Sequence, residues 1–252
     1  MIKKHLLTCS VIFVLAIISM LNIYSTTLKK PALKSRPTPN FIFINNAVVP
    51  RYNFANEALP VNDAAVNRKL RRSLMQHNFK SVQSNVLHLK AERLFPIIEP
   101  ILRLYGVPDD FKYLALVESG LKEGKSPRGA AGIWQFMPGT ARTYGLRVSK
   151  GVDERLNVRK STIAACKYIK ELYGEFNSWT LAAAAYNNGE IKLARAMNKQ
   201  NEDNYFRMHL NRETGSYVYN IIAMKAIIGE PQKYGYDGYY TYREPKQLLA
   251  YN

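Results

Sequence analysis

Cysteine is nearly absent from this 252-residue chain: Cys9 and Cys166 stand alone. Two distant thiols, one inside an apolar run, exclude a disulfide framework, so the protein must fold on its own core. Cys166 reads as a small buried hydrophobe. Metal-binding signatures are missing too. No HExxH or CxxC spacing occurs, and His77 and His88 read as solvated or core histidines, so no metal and no cofactor are expected. Acidic residues are scarce, 19 against 36 Lys and Arg, giving a formal net charge of +17. Such an excess calls for a membrane or an acidic polymer as partner. Nucleic acid is the first candidate. The charge is spread along the chain, however, with no helix-turn-helix, zinc-finger or RNA-recognition pattern, and no nucleic-acid binding is expected. No internal repeat is visible, and no strand alternation occurs in the region from Asn62 to Gly229.

A long apolar run occurs at the N-terminus, from Leu6 to Tyr24 behind Lys3, Lys4 and His5. It reads as an export signal or a membrane anchor. The absence of an Ala-x-Ala site favours an uncleaved anchor. Lys29, Lys30, Lys34 and Arg36 follow it, so flanking charge does not orient it. Thr8 precedes Cys9 and the run continues beyond it, which excludes a lipoprotein cysteine. The domain plan is therefore a signal or anchor over 1–28, a Pro- and Asn-bearing linker with some extended structure over 29–61, a helical domain over 62–230, and a tyrosine-rich tail over 231–252 that packs on the domain's flank.

Within the domain, Asn62-Asp63 caps a helix with apolar residues at Val66, Leu70 and Leu74. A second helix covers SVQSNVLHLKAERL. Pro96 and Pro100 break or restart it, and IIEPILRLYG forms a short helix ending at Gly106. Pro108-Asp109-Asp110 opens the next helix, FKYLALVES. Gly120, Gly124 and Gly129 mark a loop. ARTYG, VRKSTIAACKYIKELYGEF, WTLAAAAYN, NGEIKLARAM and ETGSYVYNIIAMKAIIG complete an all-α fold of about eight or nine helices.

Glu118 ends an apolar helix beside Leu114, Leu116 and Val117. Desolvation raises a carboxyl pKa and keeps it protonated near neutral pH, as a general acid requires. Glycoside hydrolysis is the best-known use, but the usual scheme needs a second carboxylate. Glu123 reads as a solvated loop charge, and Asp109 and Asp110 as helix-start residues. The ES pair, SPRGAAGIWQFMPGTARTYGL, LAAAAYNNGE and ETGSYV follow one another in order. With these motifs, residues from about 62 to 230 resemble the lytic transglycosylases with an SLT catalytic domain. The likeness is to the membrane-bound murein transglycosylase D type, in the goose-lysozyme-like superfamily.

This resemblance implies a lysozyme-like helical domain with a catalytic cleft. It implies cleavage of the MurNAc–GlcNAc β-1,4 bond of peptidoglycan, with 1,6-anhydroMurNAc ends and no water consumed. Glu118 would serve as acid and then base, the substrate supplying its own tethered nucleophile. Ser119 would fix Glu118 or touch substrate. Gly132 would let the chain pass close to sugar, and Gln135 would hydrogen-bond it. Phe136 and Met137 would wall the cleft and desolvate Glu118, with Trp134 in the core. Tyr186 and Asn187 would face the glutamate, and Glu213 and Tyr217 would line the cleft. The expected partners are glycan strands and, through the N-terminal segment, a membrane. The expected location is the periplasmic side of the cell envelope. A hydrolytic muramidase of the same fold and a non-catalytic peptidoglycan-binding protein stand as alternatives.

Overall fold

A computed structural model of the chain describes residues 52–236 apart from 83 and 123. The apolar N-terminal segment, the linker up to residue 51, Glu123 and the tail from 237 onward lie outside the described residues. Among those described are nine α-helices: α1 (Ala64–His77), α2 (Phe79–Val82), α3 (Val86–Leu104), α4 (Phe111–Ser119), α5 (Pro138–Thr143), α6 (Val158–Phe176), α7 (Trp179–Asn188), α8 (Glu190–Gln200) and α9 (Thr214–Gly229). Two antiparallel hairpins of two-residue strands join them, β1 (Asn53–Phe54) with β2 (Glu57–Ala58) and β3 (Val148–Ser149) with β4 (Val152–Asp153). The domain is mostly helical, as expected.

Helix α9 is the axis of the body. It buries residues on every side, from Tyr217, Val218 and Tyr219 through Ile221, Ile222 and Met224 to Ile227 and Ile228. A helix apolar all round must be enclosed, and α9 packs against α1, α4, α7 and β1. Each fully buried large aliphatic side chain stabilises such a core by about 1.5–3 kcal/mol. Helix α7 contributes Ala182 to Ala185, all fully buried, and these small residues let α6, α8 and α9 approach closely. Asp63 caps α1, its carboxylate accepting from the Ala65 and Val66 amides at 2.7 and 3.2 Å.

Two features differ from the sequence expectation. First, α3 is one helix that runs straight through Pro96 and Pro100. The two prolines lie four residues apart and both are exposed. The carbonyls they leave without donors, at Glu92 and Pro96, therefore fall on the face open to water, which can supply the missing hydrogen bonds.

Second, residues 52–61 belong to the folded body rather than to a linker. Phe54 is fully buried and meets the Phe111 ring at 5.0 Å between centroids. Glu57 accepts from the Trp179 and Thr180 amides, at 2.6 and 3.0 Å, and from Ser178 Oγ at 2.8 Å, so it caps α7 from 122 residues away. Asp110 accepts from the Ala55 amide at 2.7 Å and pairs with Lys225 at 2.6 Å, tying hairpin, α4 and α9 together.

The start of the tyrosine-rich tail is packed on the domain, as expected from the sequence. Tyr236 is buried, with its hydroxyl donating to the His77 carbonyl at 2.7 Å and its ring 4.2 Å from that of His88.

Candidate active site

Glu118 sits in the last turn of α4, which Gly120 closes at φ +59°, its amide donating to the Leu116 carbonyl at 2.8 Å. The helix is held from beneath by a buried ion pair, Lys112 to Glu99 of α3, at 2.6 Å. Removing one partner of such a pair leaves an uncompensated buried charge, so a single substitution at Lys112 or Glu99 would disturb the seat of α4. Leu114 and Leu116 are buried around the glutamate, while Glu118 keeps a partial opening to solvent. Burial pushes its carboxyl up from 4.5 to about 7. A hydrogen bond donated by the Tyr217 hydroxyl to Oε1 pulls the other way, and the like charge of Glu213 pushes it up further. The group thus exists in both protonation states near neutral pH.

The loop between α4 and α5 folds back beside it. Ser119 Oγ donates to the Ala115 carbonyl at 3.1 Å and to the Ile133 carbonyl at 2.9 Å, stitching helix to loop. Trp134 is fully buried, as expected of a core residue, and its indole donates to Thr162 Oγ1 at 2.9 Å. Gln135 adopts φ +47°, and its Nε2 donates to the Gly132 carbonyl at 2.7 Å. Phe136 is buried against Tyr186, whereas Met137 is 46% exposed. Gly132 has φ +75°, and a Cβ there would stand 1.9 Å from the Arg155 carbonyl. The close approach this glycine permits is therefore to the protein's own backbone.

From the other side come α7 and the start of α9. The structure assigns the expected partners differently. Tyr217 is the tyrosine that bonds Glu118. Tyr186 donates instead to the Trp134 carbonyl at 2.8 Å. Burial, and then the charge of Glu118, push both phenols well above their ordinary value, so each stays a donor. Asn187 lies between Glu213 and Thr214. Its Nδ2 donates to Glu213 Oε1 at 3.0 Å, and its Oδ1 accepts from Thr214 Oγ1 at 3.0 Å. Glu213 is exposed. Tyr217 thus meets Glu118 directly, the charge of Glu213 reaches it, Tyr186 lies near it, and Ser119 ties the loop to the end of α4. Among the described residues no group of three or more His, Cys, Asp or Glu is placed to hold a metal.

Sequence reasoning missed the support of the loop. Arg155 is buried and forks onto Asp153, Nε to Oδ1 and Nη2 to Oδ2, both at 2.8 Å. Its Nη1 donates to the Gly129 carbonyl at 2.7 Å and the Phe136 carbonyl at 2.9 Å. The guanidinium beside Asp153 holds that carboxyl far below the usual range. The available signal was the D-x-R spacing ahead of α6, which looks like an ordinary surface ion pair.

Residues 95–208 match the family model described as "Transglycosylase SLT domain". The membrane-bound lytic murein transglycosylase D of Escherichia coli K12 is 32% identical over 153 residues, covering 58% of this chain and 34% of the relative. The peptidoglycan transglycosylase gp16 of Escherichia phage T7 is 34% identical over 115 residues, 44% of this chain and 9% of the relative. The chain thus spans about a third, or less, of the length of these two relatives. Among solved structures, the 70 kDa soluble lytic transglycosylase of Escherichia coli aligns with a TM-score of 0.46 at 23% identity, over 63% of this chain and 29% of that one.

Proposed function

With a lytic transglycosylase domain of the SLT family in residues 95–208 as premise, we propose that this chain cleaves the MurNAc–GlcNAc β-1,4 bond of peptidoglycan and leaves 1,6-anhydroMurNAc ends. One observation carries the reading: a partly buried carboxyl, Glu118, raised to about 7 and held by a tyrosine that stays protonated. General acid–base work at neutral pH needs a group with that affinity for its proton.

The Glu118–Tyr217 pair supports the following steps. Oε1 of Glu118 accepts from Tyr217, so the proton to be donated is on Oε2. Glu118 passes that proton to the glycosidic oxygen as the bond to C1 of the muramic sugar breaks. The carboxylate so formed is steadied by Tyr217, a charge-assisted hydrogen bond being about twice as strong as a neutral one. It then takes the proton of the C6 hydroxyl as that oxygen closes on C1. Water is not consumed, and Glu118 ends protonated as it began. The tethered hydroxyl replaces a second protein carboxylate. Gln135, Ser119, Asn187 and Phe136 line the approach in a lysozyme-like cleft, with exposed Met137 at its rim.

Glu213 gives specific support to a second reading. Its charge is felt at Glu118, and it is exposed, as a residue activating water would be. In that case the enzyme is a hydrolytic muramidase. Digestion of purified sacculi, read by mass spectrometry, decides. Anhydro-ended muropeptides from the wild type, lost in Glu118→Gln and retained in Glu213→Gln, support the transglycosylase. Reducing ends that vanish in Glu213→Gln support the hydrolase.

The site belongs at the cell envelope, with residues 1–28 as export signal or anchor and the net positive charge drawn to the carboxylates of the wall. No helix among the described residues is long and apolar enough to cross a membrane.

A further inference from the structure

We propose that Arg155, locked by Asp153, is a positioning residue for the reaction, holding the 129–136 loop in the register that sets Ser119 and Tyr186 around Glu118. The inference rests on the reading above and names no new contact with substrate.

The geometry is that of a clamp. One nitrogen of the guanidinium, Nη1, takes the carbonyls at both ends of the loop, Gly129 at 2.7 Å and Phe136 at 2.9 Å. Nε and Nη2 are spent on the two oxygens of Asp153, so the plane of the fork is fixed. The backbone of the same residue takes part as well. The Arg155 carbonyl lies where a side chain on Gly132 would be, so loop and clamp interlock at the loop's centre.

Between the pinned ends, two consecutive carbonyls face the site's other segments. Ile133 receives Ser119 Oγ at 2.9 Å, and Trp134 receives the Tyr186 hydroxyl at 2.8 Å. A slip of the loop by a fraction of an ångström would move both acceptors together. It would also move Phe136, which packs on Tyr186. Lysine cannot replace this arginine, because a single ammonium cannot span two carbonyls and a bidentate carboxylate.

The test uses Arg155→Lys and Asp153→Asn in the full chain, with Lys160→Gln as control. Lys160 pairs with the adjacent Glu154 and touches none of the clamp. Four quantities are read: kcat and KM on sacculi, the alkaline limb of the rate–pH profile, and the carboxyl titration of Glu118 by NMR. The titratable groups facing Glu118 are Tyr217 and Glu213 from the start of α9 and Tyr186 from α7. None of them is altered.

If the clamp positions the loop, both variants fold, kcat falls at least about tenfold and KM changes less, since misplacement of about 1 Å can cost a hundredfold. Water then reaches Glu118, its pKa falls back toward 4.5, and both the alkaline limb and the NMR titration move to lower pH. A merely structural arginine would lower Tm and the amount of active enzyme without moving either titration, and that outcome overturns the proposal. So does failure of both variants to fold, or kcat within twofold of wild type with an unmoved titration. If the wild type cleaves no glycan, the proposed activity fails, while the NMR titration still decides the clamp.

Discussion

Replacing Glu118 with glutamine should make the protein more stable, and only above acid pH. The carboxyl has a pKa of about 7 in the fold against an ordinary 4.5. A group whose folded value is raised binds its proton more tightly when folded. Its stabilising contribution is complete below pH 4.5 and is lost as pH rises through 7. At about 1.36 kcal/mol per pKa unit, the wild type forfeits up to about 3 kcal/mol by pH 8, and about 2 after allowing for the side chain's opening to solvent. Glutamine mimics the neutral acid and still offers an oxygen to Tyr217, so it loses nothing over the same range. For a domain of this size, 2–3 kcal/mol corresponds to roughly 5–10 °C in Tm. Thermal unfolding of both proteins, followed by circular dichroism at pH 4 and pH 8, gives the answer. The expected result is nearly coincident curves at pH 4 and a more stable Glu118→Gln at pH 8. An equal gap at both pH values, or a less stable variant at pH 8, would refute the claim that burial holds this carboxyl protonated.

Tyr217→Phe removes a bond that favours the charged form of Glu118, so the alkaline limb of activity should move to higher pH, by about one unit for a charge-assisted hydrogen bond of about 1.5 kcal/mol. A rate–pH profile that stays put or moves down rules out Tyr217 as the glutamate's partner. Gly132→Ala forces a left-handed backbone on alanine and a methyl into the Arg155 carbonyl, and should cost about 3 kcal/mol or more. Urea unfolding would show this as a lower midpoint at unchanged slope, and an unchanged midpoint would mean that the loop is not interlocked with Arg155.

The helices were legible because each carries its own signal. Asp63 before the Val66–Leu70 stripe marks a start, and Gly120 marks an end, whatever the rest of the chain does. Pro96 and Pro100 misled for a local reason. A proline reads as a break in sequence, but its cost depends on whether the orphaned carbonyl meets water, and that is settled by tertiary position. The docking of the β1–β2 hairpin was missed because its binding to the body is not local. Glu57 caps a helix that begins 122 residues later, and nothing around Glu57 announces it.

The candidate site shows the same division more sharply. Glu118, Gln135, Tyr186 and Tyr217 stand out by type and by motif, since acids, amides and phenols are what proton transfer and sugar recognition use. Which phenol meets the acid was not legible, because the half-buried Tyr186 and the buried Tyr217 are both near it. The choice falls to the loop: the Trp134 carbonyl takes the hydroxyl of Tyr186, which leaves Tyr217 to donate to Oε1. Backbone carbonyls are the same at every residue and leave no trace in composition or spacing. What aims them is Arg155, whose buried fork reads in sequence as a surface charge three residues before α6. The chemistry of the site is thus spelled by side chains, and its geometry by main-chain oxygens that one arginine holds in place.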